Sequence, residues 1–399
     1  KHADRPYADM VSYQPHLCEQ GKAPKQYGTP EYAAVANYAY HLDAGKFGQF
    51  LQKFCTEKLG VRHVLDHVRG IKPADNGDIA SLETESHGQI TGDLFIDCTG
   101  FSSLLLGQHY RIPFISKKDV LFCYTAMALQ VPYASENSPI ASHTISTAQA
   151  AGWIWDIGLP TRRGVGYVYS SAHTSDEEAE QVLVDYVQQT AGDVTKELAV
   201  RRKIAINPGH RESFWHRNCV AVGISAGFIE PLEASALALI ELSAAMISDE
   251  LPATREVMEI VARRFNERMR YRWGRIVDFL KLHYVLSKRN DSDFWIDNRR
   301  AESIPERLQE LMKLWRYRSP SRRDLHEIEE IFPWISYQYI LCGMGFLPQE
   351  RTAPRKSEDS GRAESCFQEN ARLTAKYLAG LPTNRDLIDR VVSHGMQRH

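Results

Sequence analysis

What this 399-residue chain lacks limits it first. No charge of one sign prevails: 48 Lys and Arg face 50 Asp and Glu, a formal −2. Nothing therefore draws the whole chain to nucleic acid, and no acidic tail is expected. Its longest apolar run, Ala234 to Ile247, is interrupted by Glu241 and falls short of the ~18–20 residues of a membrane span. Nothing at the front reads as a signal peptide. The seven cysteines form no CxxC pair and no Cys/His metal spacing. A disulfide framework and a zinc site are not expected, and reduced thiols suit a cytoplasmic protein. There is no P-loop and no HExxH. On a strand His63 and His67 would lie roughly 13 Å apart, too far to share a metal. Nor is there a strand–GxGxxG–helix unit. Gly164-Val165-Gly166 and Gly343-Met344-Gly345 come late and lack the third glycine.

With 43% hydrophobic and 10% aromatic residues, the chain is long enough for two domains or one large elaborated one. The reading divides it into residues 1–250, a partial cofactor-binding part with an inserted antiparallel sheet, and 251–399, a helical substrate-binding module. Lys1 to Pro30 is polar and loop-rich. Ala44 to Leu59 has a helical stripe of Phe47, Phe50, Leu51, Phe54 and Leu59, closed by Gly60. Val61 to Val68 is a valine-rich strand candidate. Two short strands follow a turn at Asp75-Asn76-Gly77, the second being Asp93 to Cys98. Cys98 and Cys219, in apolar runs, are expected inside. From Phe122 to Ser171 several strands predict a mostly antiparallel sheet. Helices are expected at Asp176 to Ala191, Ser235 to Asp249, Arg255 to Leu286, Pro305 to Arg316 and Ala371 to Leu378, with strands at Leu198 to Ile206 and Cys219 to Gly223. Ser235 to Asp249 is apolar on nearly every face and is expected buried. Residues 350–364 read as a polar surface loop.

Three stretches carry chemistry. Asn218 to Ser235 reads as a buried strand, a small-residue turn and a helix start. Gly223, Ser225, Ala226 and Gly227 let backbone approach a ligand. Pro231 biases Glu230 toward extended backbone. Glu233 then falls in the first helical turn, where the free N–H groups around Ser235 and Ala236 form an anion site. A glutamate there can also simply complement the helix dipole. Gly223-Ile224-Ser225-Ala226-Gly227 matches GxSxG, but Phe228 to Leu232 separates the turn from its helix, against a nucleophile elbow. Asp93 to Phe101 is a strand running into Thr99-Gly100, a common way to bring backbone to a phosphate or ribose, and also common in ordinary turns. In Gly152 to Pro160, Trp153 and Trp155 share one strand face and either line an aromatic pocket or pack the sheet. The arginines from Arg263 to Arg275 read as a solvated helix face rather than a nucleic-acid face.

Taken in order, these stretches resemble flavin-dependent tryptophan halogenases. Trp153-Ile154-Trp155-Asp156-Ile157 with Pro160 is similar to the family's Trp-x-Trp-x-Ile signature, with Gly158 where proline is usual. Phe228 to Ser235 resembles its strap-and-glutamate segment. Asp97 to Phe101 and Gly166 to Ser170 also fit, so the likeness runs from about Ala44 to Asp297. It implies an α/β chain with a Rossmann-like FAD-binding fold of the group A monooxygenase type lacking its first βαβ unit, with a mixed or antiparallel sheet and a mostly helical C-terminal module. It implies reduced FAD from a separate flavin reductase, O₂, and chloride or bromide, with hypohalous acid passed to a lysine and a glutamate beside an indole. Glu233 matches the glutamate, Ser235 and Ala236 the halide positions, and Val68, Ile224 and Leu237 flavin contacts. Trp153, Trp155, Phe228 and Pro231 match tunnel and substrate-side positions. The resemblance involves no metal, nucleic acid or membrane, and allows a homodimer.

Ala234 stands in place of a usual hydroxyl residue, and Ala236 in place of glycine. Phe332-Pro333-Trp334 and Cys342 to Phe346 do not match the family's clamp for free tryptophan, which points to a broader indole substrate. The chain enters the fold abruptly at Lys1, and the family's lysine and glycine-rich loop are expected ahead of it. The sequence as written is therefore expected to bind flavin poorly and not to turn over. The other readings are a flavin-dependent aromatic monooxygenase and a truncated, non-catalytic flavin-fold protein.

Overall fold

The computed structural model describes residues 5–192, 199–327, 329–349 and 360–396. Two short helices, α1 (Tyr7–Val11) and α2 (Gln14–Glu19), occupy the front that reads as loop. Helix α3 (Ala44–Lys58) follows; Asp43 caps it by accepting from the Gly45 and Lys46 amides, which satisfies two orphan donors. Its apolar stripe faces solvent: Phe47, Phe50, Leu51 and Phe54 are exposed. The antiparallel meander β1 (Val68–Pro73), β2 (Ile79–Thr84) and β3 (Gly88–Thr91) comes next.

Val61 to His67 is not a strand, which corrects the sequence reading. Asp66 takes the Ser86 and His87 amides, both at 2.9 Å, and the His87 ring at 2.6 Å. These side-chain bonds fasten the segment to the β2–β3 turn, where no ladder partner runs. His63 meets Gln52.

Next come β4 (Phe95–Asp97), β5 (Phe114–Ser116), β6 (Thr125–Pro132), β7 (Ile145–Gln149), β8 (Gly152–Gly158), β9 (Arg162–Tyr169), α4 (Asp176–Ala191) and β10 (Ala199–Ala205). The expected antiparallel sheet is present in the order β10-β6-β9-β8-β7. Period-two alternation sends Ile154 and Tyr167 to one face, against Leu183 and Val187 of α4, and Trp153 and Val168 to the other. A Ser175–Glu178 capping box starts α4.

Short strands β11 (Gly209–Arg211), β12 (Trp215–His216), β13 (Cys219–Ala221) and β14 (Gly227–Phe228) lead to α5 (Ser235–Asp249) and the 32-residue α6 (Arg255–Leu286). Helices α7 (Asp293–Asp297), α8 (Glu306–Trp315), α9 (Trp334–Gly343), α10 (Ser360–Gly380) and α11 (Asn384–His394) complete the chain. Only Ser235, Leu239, Ser243 and Ile247 of α5 are buried. The helix is thus half-covered rather than buried all round, and Leu237 stays 68% exposed. Cys219 is buried, whereas Cys98 is exposed just past the end of β4. Residues 350–359 of the expected loop lie outside the described residues, and 360–364 are already helical. Among the described residues no helix is long and apolar enough to cross a membrane.

The largest core cluster runs from Ile79 to Leu341 in sequence and takes in much of α6. Arg263, Arg264 and Arg270 of α6 are exposed, and Arg264 and Arg268 pair with Glu250, as a solvated face expects; Arg275 departs from that reading, being buried beside Asp278 and over the Tyr271 ring.

Candidate functional site

The site is built around one parallel pair. Cys219, Val220 and Ala221 of β13 lie in register with Phe95, Ile96 and Asp97 of β4. Ligands in α/β folds bind outside the carboxyl ends of such strands. Asp97 is fully buried and accepts the Leu105 and Leu106 amides (3.0 and 2.9 Å) and the Thr99 hydroxyl (2.6 Å). This carboxylate therefore holds the Thr99–Leu106 turn closed. Ser225, the serine of the GxSxG match, is buried; its Oγ donates to the carbonyls of Asp97 and Val222. It ties the two strand ends together and is not free to act as a nucleophile.

Gly223 has φ +74°, a conformation glycine adopts without a Cβ penalty. It opens the turn Gly223–Ser225, against which α5 and the turn Gly100–Ser102 pack. Around this strand end Ile96, Phe101, Ile224, Leu237 and Ile240 are all exposed. Together they give the elements that meet at this strand end an apolar shelf. Val68 is on the meander, opposite Thr84 at the start of β1, and is also exposed.

The strap then climbs from Phe228 to α5. Phe228 packs its ring on Phe101, with centroids 5.6 Å apart. Pro231 starts a 3₁₀ turn, Leu232–Ala234, and its carbonyl accepts the Ala234 amide. Glu233 lies in this turn, ahead of α5 rather than within its first turn. Glu233 (φ 66°) and Ala234 (φ 48°) are both left-handed. For non-glycine residues this costs about 1–3 kcal/mol each, and such strain persists only where surrounding structure imposes it. Helix α5 then begins with no side-chain cap, and the buried Ser235 Oγ has no hydrogen-bond partner among the described residues. The amides of Ser235 and Ala236 thus head a 15-residue helix at an open, donor-rich end.

Glu233 Oε1 meets His283 Nε2 at 3.0 Å, and His283 Nδ1 meets the Phe279 carbonyl at 2.8 Å. A carbonyl cannot donate, so Nδ1 carries a hydrogen. His283 is fixed by α6, so it also fixes where the Glu233 carboxylate points.

Behind the strap stands the tryptophan strand. Trp153 and Trp155 share a face with centroids 6.4 Å apart. Trp155 lies opposite Gly166 of β9, and a Cβ at Gly166 would overlap its ring. Trp153 donates Nε1–H to Glu230 Oε2 (3.0 Å), which also accepts from the Tyr284 hydroxyl (2.6 Å). Glu230 is buried; burial raises its pKa, and the Trp153, Tyr284 and Cys123 side chains act against that rise. Nearby Lys281 is completely buried. Its Nζ donates to Asn298 Oδ1 (2.8 Å) and sits 4.6 Å above the Phe122 ring. Burial pushes its pKa down to about 7.

The structure brings together Glu233, Ser235, Ala236, Phe228, Pro231, Ile224 and Leu237 around the strap, and joins Trp153 to it through Glu230. The sequence reading named neither Glu230 as a partner of Trp153 nor His283, Tyr284 and Lys281. A local signal existed: Lys281, His283 and Tyr284 interrupt the apolar end of α6.

A family model described as tryptophan halogenase matches residues 1–358. The chain is 36% identical over 330 residues to tryptophan 6-halogenase SttH of Streptomyces toxytricini, covering 83% of this chain and 62% of that protein. It is 33% identical to 7-chloro-L-tryptophan 6-halogenase KtzR of Kutzneria sp. (strain 744), over 94% of this chain and 76% of that one. The crystal structure of tryptophan halogenase from Shewanella frigidimarina NCIMB 400 superposes with a TM-score of 0.95 at 49% identity, covering 99% of this chain and 75% of that one. The matched span is thus 62% of SttH and about three quarters of the other two.

Proposed function

The chain belongs to the tryptophan halogenase family, and from that premise we propose that the protein halogenates tryptophan or a related indole. In this reading bound reduced FAD, renewed by a separate flavin reductase, supplies hypohalous acid from O₂ and chloride or bromide. The apolar shelf of Ile96, Phe101, Ile224 and Leu237 fits a flat aromatic cofactor ring better than it fits water. Val68 is assigned to the adenine end.

The observation that carries the proposal is Glu233 held in left-handed backbone at the open end of α5, with its carboxylate on His283. The Ser235 and Ala236 amides hold halide by partial positive charge and free N–H groups. Trp153 and Trp155, with Phe228 and Pro231, separate cofactor from indole, so that direct oxygen transfer to the ring is excluded while the smaller oxidant passes. Glu233 orients the electrophile and accepts the proton lost from the substituted ring carbon. His283 keeps the carboxylate aimed while it does so.

The test is to incubate the full-length protein with reduced FAD, a flavin reductase, chloride or bromide, and a panel of indoles. Product mass should rise by one halogen in place of one hydrogen. A gain of oxygen would instead identify a flavin-dependent aromatic monooxygenase, and unshifted masses throughout would sink the proposal.

A further inference from the structure

A cavity opens where α6 ends, beginning two residues beyond His283. Its walls are the end of α6, the 299–304 segment, one face of α8 and the turn 344–346, and its volume is about 500 Å³. Four cations line it: Lys288, Arg299, Lys313 and Arg316. Its lining contains no carboxylate. On a chain with formal charge −2 this is a local reversal of sign.

The four charges differ in how they are held. Arg299 is fixed, donating to the carbonyls of Ser287 and Arg289 and to Asn290 Oδ1 (2.8, 2.5 and 2.5 Å). All of these acceptors are neutral, so its charge is oriented but not cancelled. Lys288, Lys313 and Arg316 have no ion pair among the described residues. Gly345 has φ +77°, and a Cβ there would stand 2.9 Å from the Lys288 ammonium. The bare glycine lets that cation lie along the cavity wall. Between the charges the lining is apolar, including Met312 and Phe346.

Like charges gathered around one concavity repel, and low-dielectric walls focus their field. An anion relieves that cost, and the methionine and phenylalanine surfaces reward an apolar body attached to it. We propose that this cavity binds a small organic anion, an aromatic or aliphatic body bearing a carboxylate or phosphate group. Arg299 supplies the fixed charge, Lys288, Lys313 and Arg316 close on the anion, and Met312 and Phe346 cover its apolar part. Its lining includes neither Glu233 nor His283, and the inference does not rest on halogenation. It also gives a use to the Cys342–Phe346 segment, whose sequence does not match a clamp for free tryptophan.

The test titrates the full chain with 1-naphthyl phosphate, 1-naphthol and inorganic phosphate by calorimetry. The first shares its apolar body with the second and its anion with the third. 1-Naphthyl phosphate should bind at least about tenfold tighter than either: than naphthol by its charge-assisted contacts, than inorganic phosphate by the apolar area it buries, each exceeding the 1.4 kcal/mol that a factor of ten represents. The double variant Lys313→Gln/Arg316→Gln should lose about tenfold or more, and both side chains are exposed, so folding is not at stake. A Met312→Gln variant should weaken naphthyl phosphate but not inorganic phosphate. Equal binding of naphthol and naphthyl phosphate, or unchanged affinity in the double variant, would overturn the proposal.

Discussion

Lys281 offers the sharpest quantitative test, because it is a cation buried behind the tryptophan strand with no carboxylate hydrogen-bonded to it. Its pKa falls from the ordinary 10.5 to about 7, chiefly through burial, against the opposing pull of Glu230, Cys123 and Asp119. A lysine with a depressed folded-state pKa binds fewer protons folded than unfolded between those two values. Stability therefore rises with pH across the window from about 7 to 10.5 and is lost as pH falls through it. For one proton the slope approaches about 1.4 kcal/mol per pH unit, which over the window amounts to roughly 5 kcal/mol. Lys281→Met keeps a flexible chain of similar length beside Phe122 and removes the titrating group. Asn298 Oδ1 then loses its donor at about 1–3 kcal/mol, a cost independent of pH. The variant's curve should thus be displaced in level but lack the slope. Urea unfolding of both proteins at about pH 7, 8 and 9 measures this. Wild-type stability relative to the variant should climb by about 1 kcal/mol per pH unit. Parallel curves would refute the claim that Lys281 titrates inside the fold.

Four further outcomes are expected. Glu233→Gln should lower halogenation about 10²–10⁴-fold, the usual contribution of a positioned acid or base, with little change in melting temperature because the side chain is part-exposed; retained turnover would remove Glu233 from the chemistry. Trp153→Phe deletes one of the two hydrogen bonds to buried Glu230 and should cost about 1–3 kcal/mol. Glu230→Gln, which still accepts both, should regain stability relative to wild type as pH rises above 4.5, since a raised carboxyl pKa loses stability across that interval. Gly166→Ala should force the Trp155 ring off β9, costing about 1–3 kcal/mol as overpacking and changing near-ultraviolet circular dichroism; an unchanged spectrum would show that the ring has room.

What the sequence made legible follows from how local each determinant is. Helices α4, α5 and α6 begin and end where their periodicity places them, and at α4 the Ser175–Glu178 capping box, which acts within one turn, marks the start as well. The antiparallel sheet was equally readable, since Trp153 and Trp155 reveal their shared face by alternation alone. Val61 to His67 had the composition of a strand, but a strand exists only with a partner, and Asp66 bonds elsewhere. Glu233 was placed one turn too far along: its left-handed backbone is set by the strap's course between β14 and α5, not by propensity, for which alanine and glutamate are ordinary helix formers. The larger omission was Glu230. Beside a proline its sequence suggested only extended backbone, yet its carboxylate spans 77 residues to Trp153 and 54 to Tyr284. A buried carboxyl group is tolerable only with donors, so the reasoning can be reversed. A polar residue in an otherwise buried run, such as Lys281, His283 or Tyr284 at the end of α6, signals that another element supplies its partner. In this fold those partners are the strap and α7's end, at Glu233, Glu230 and Asn298. That is why the tryptophan strand, the strap and the long helix act as one unit around Glu233.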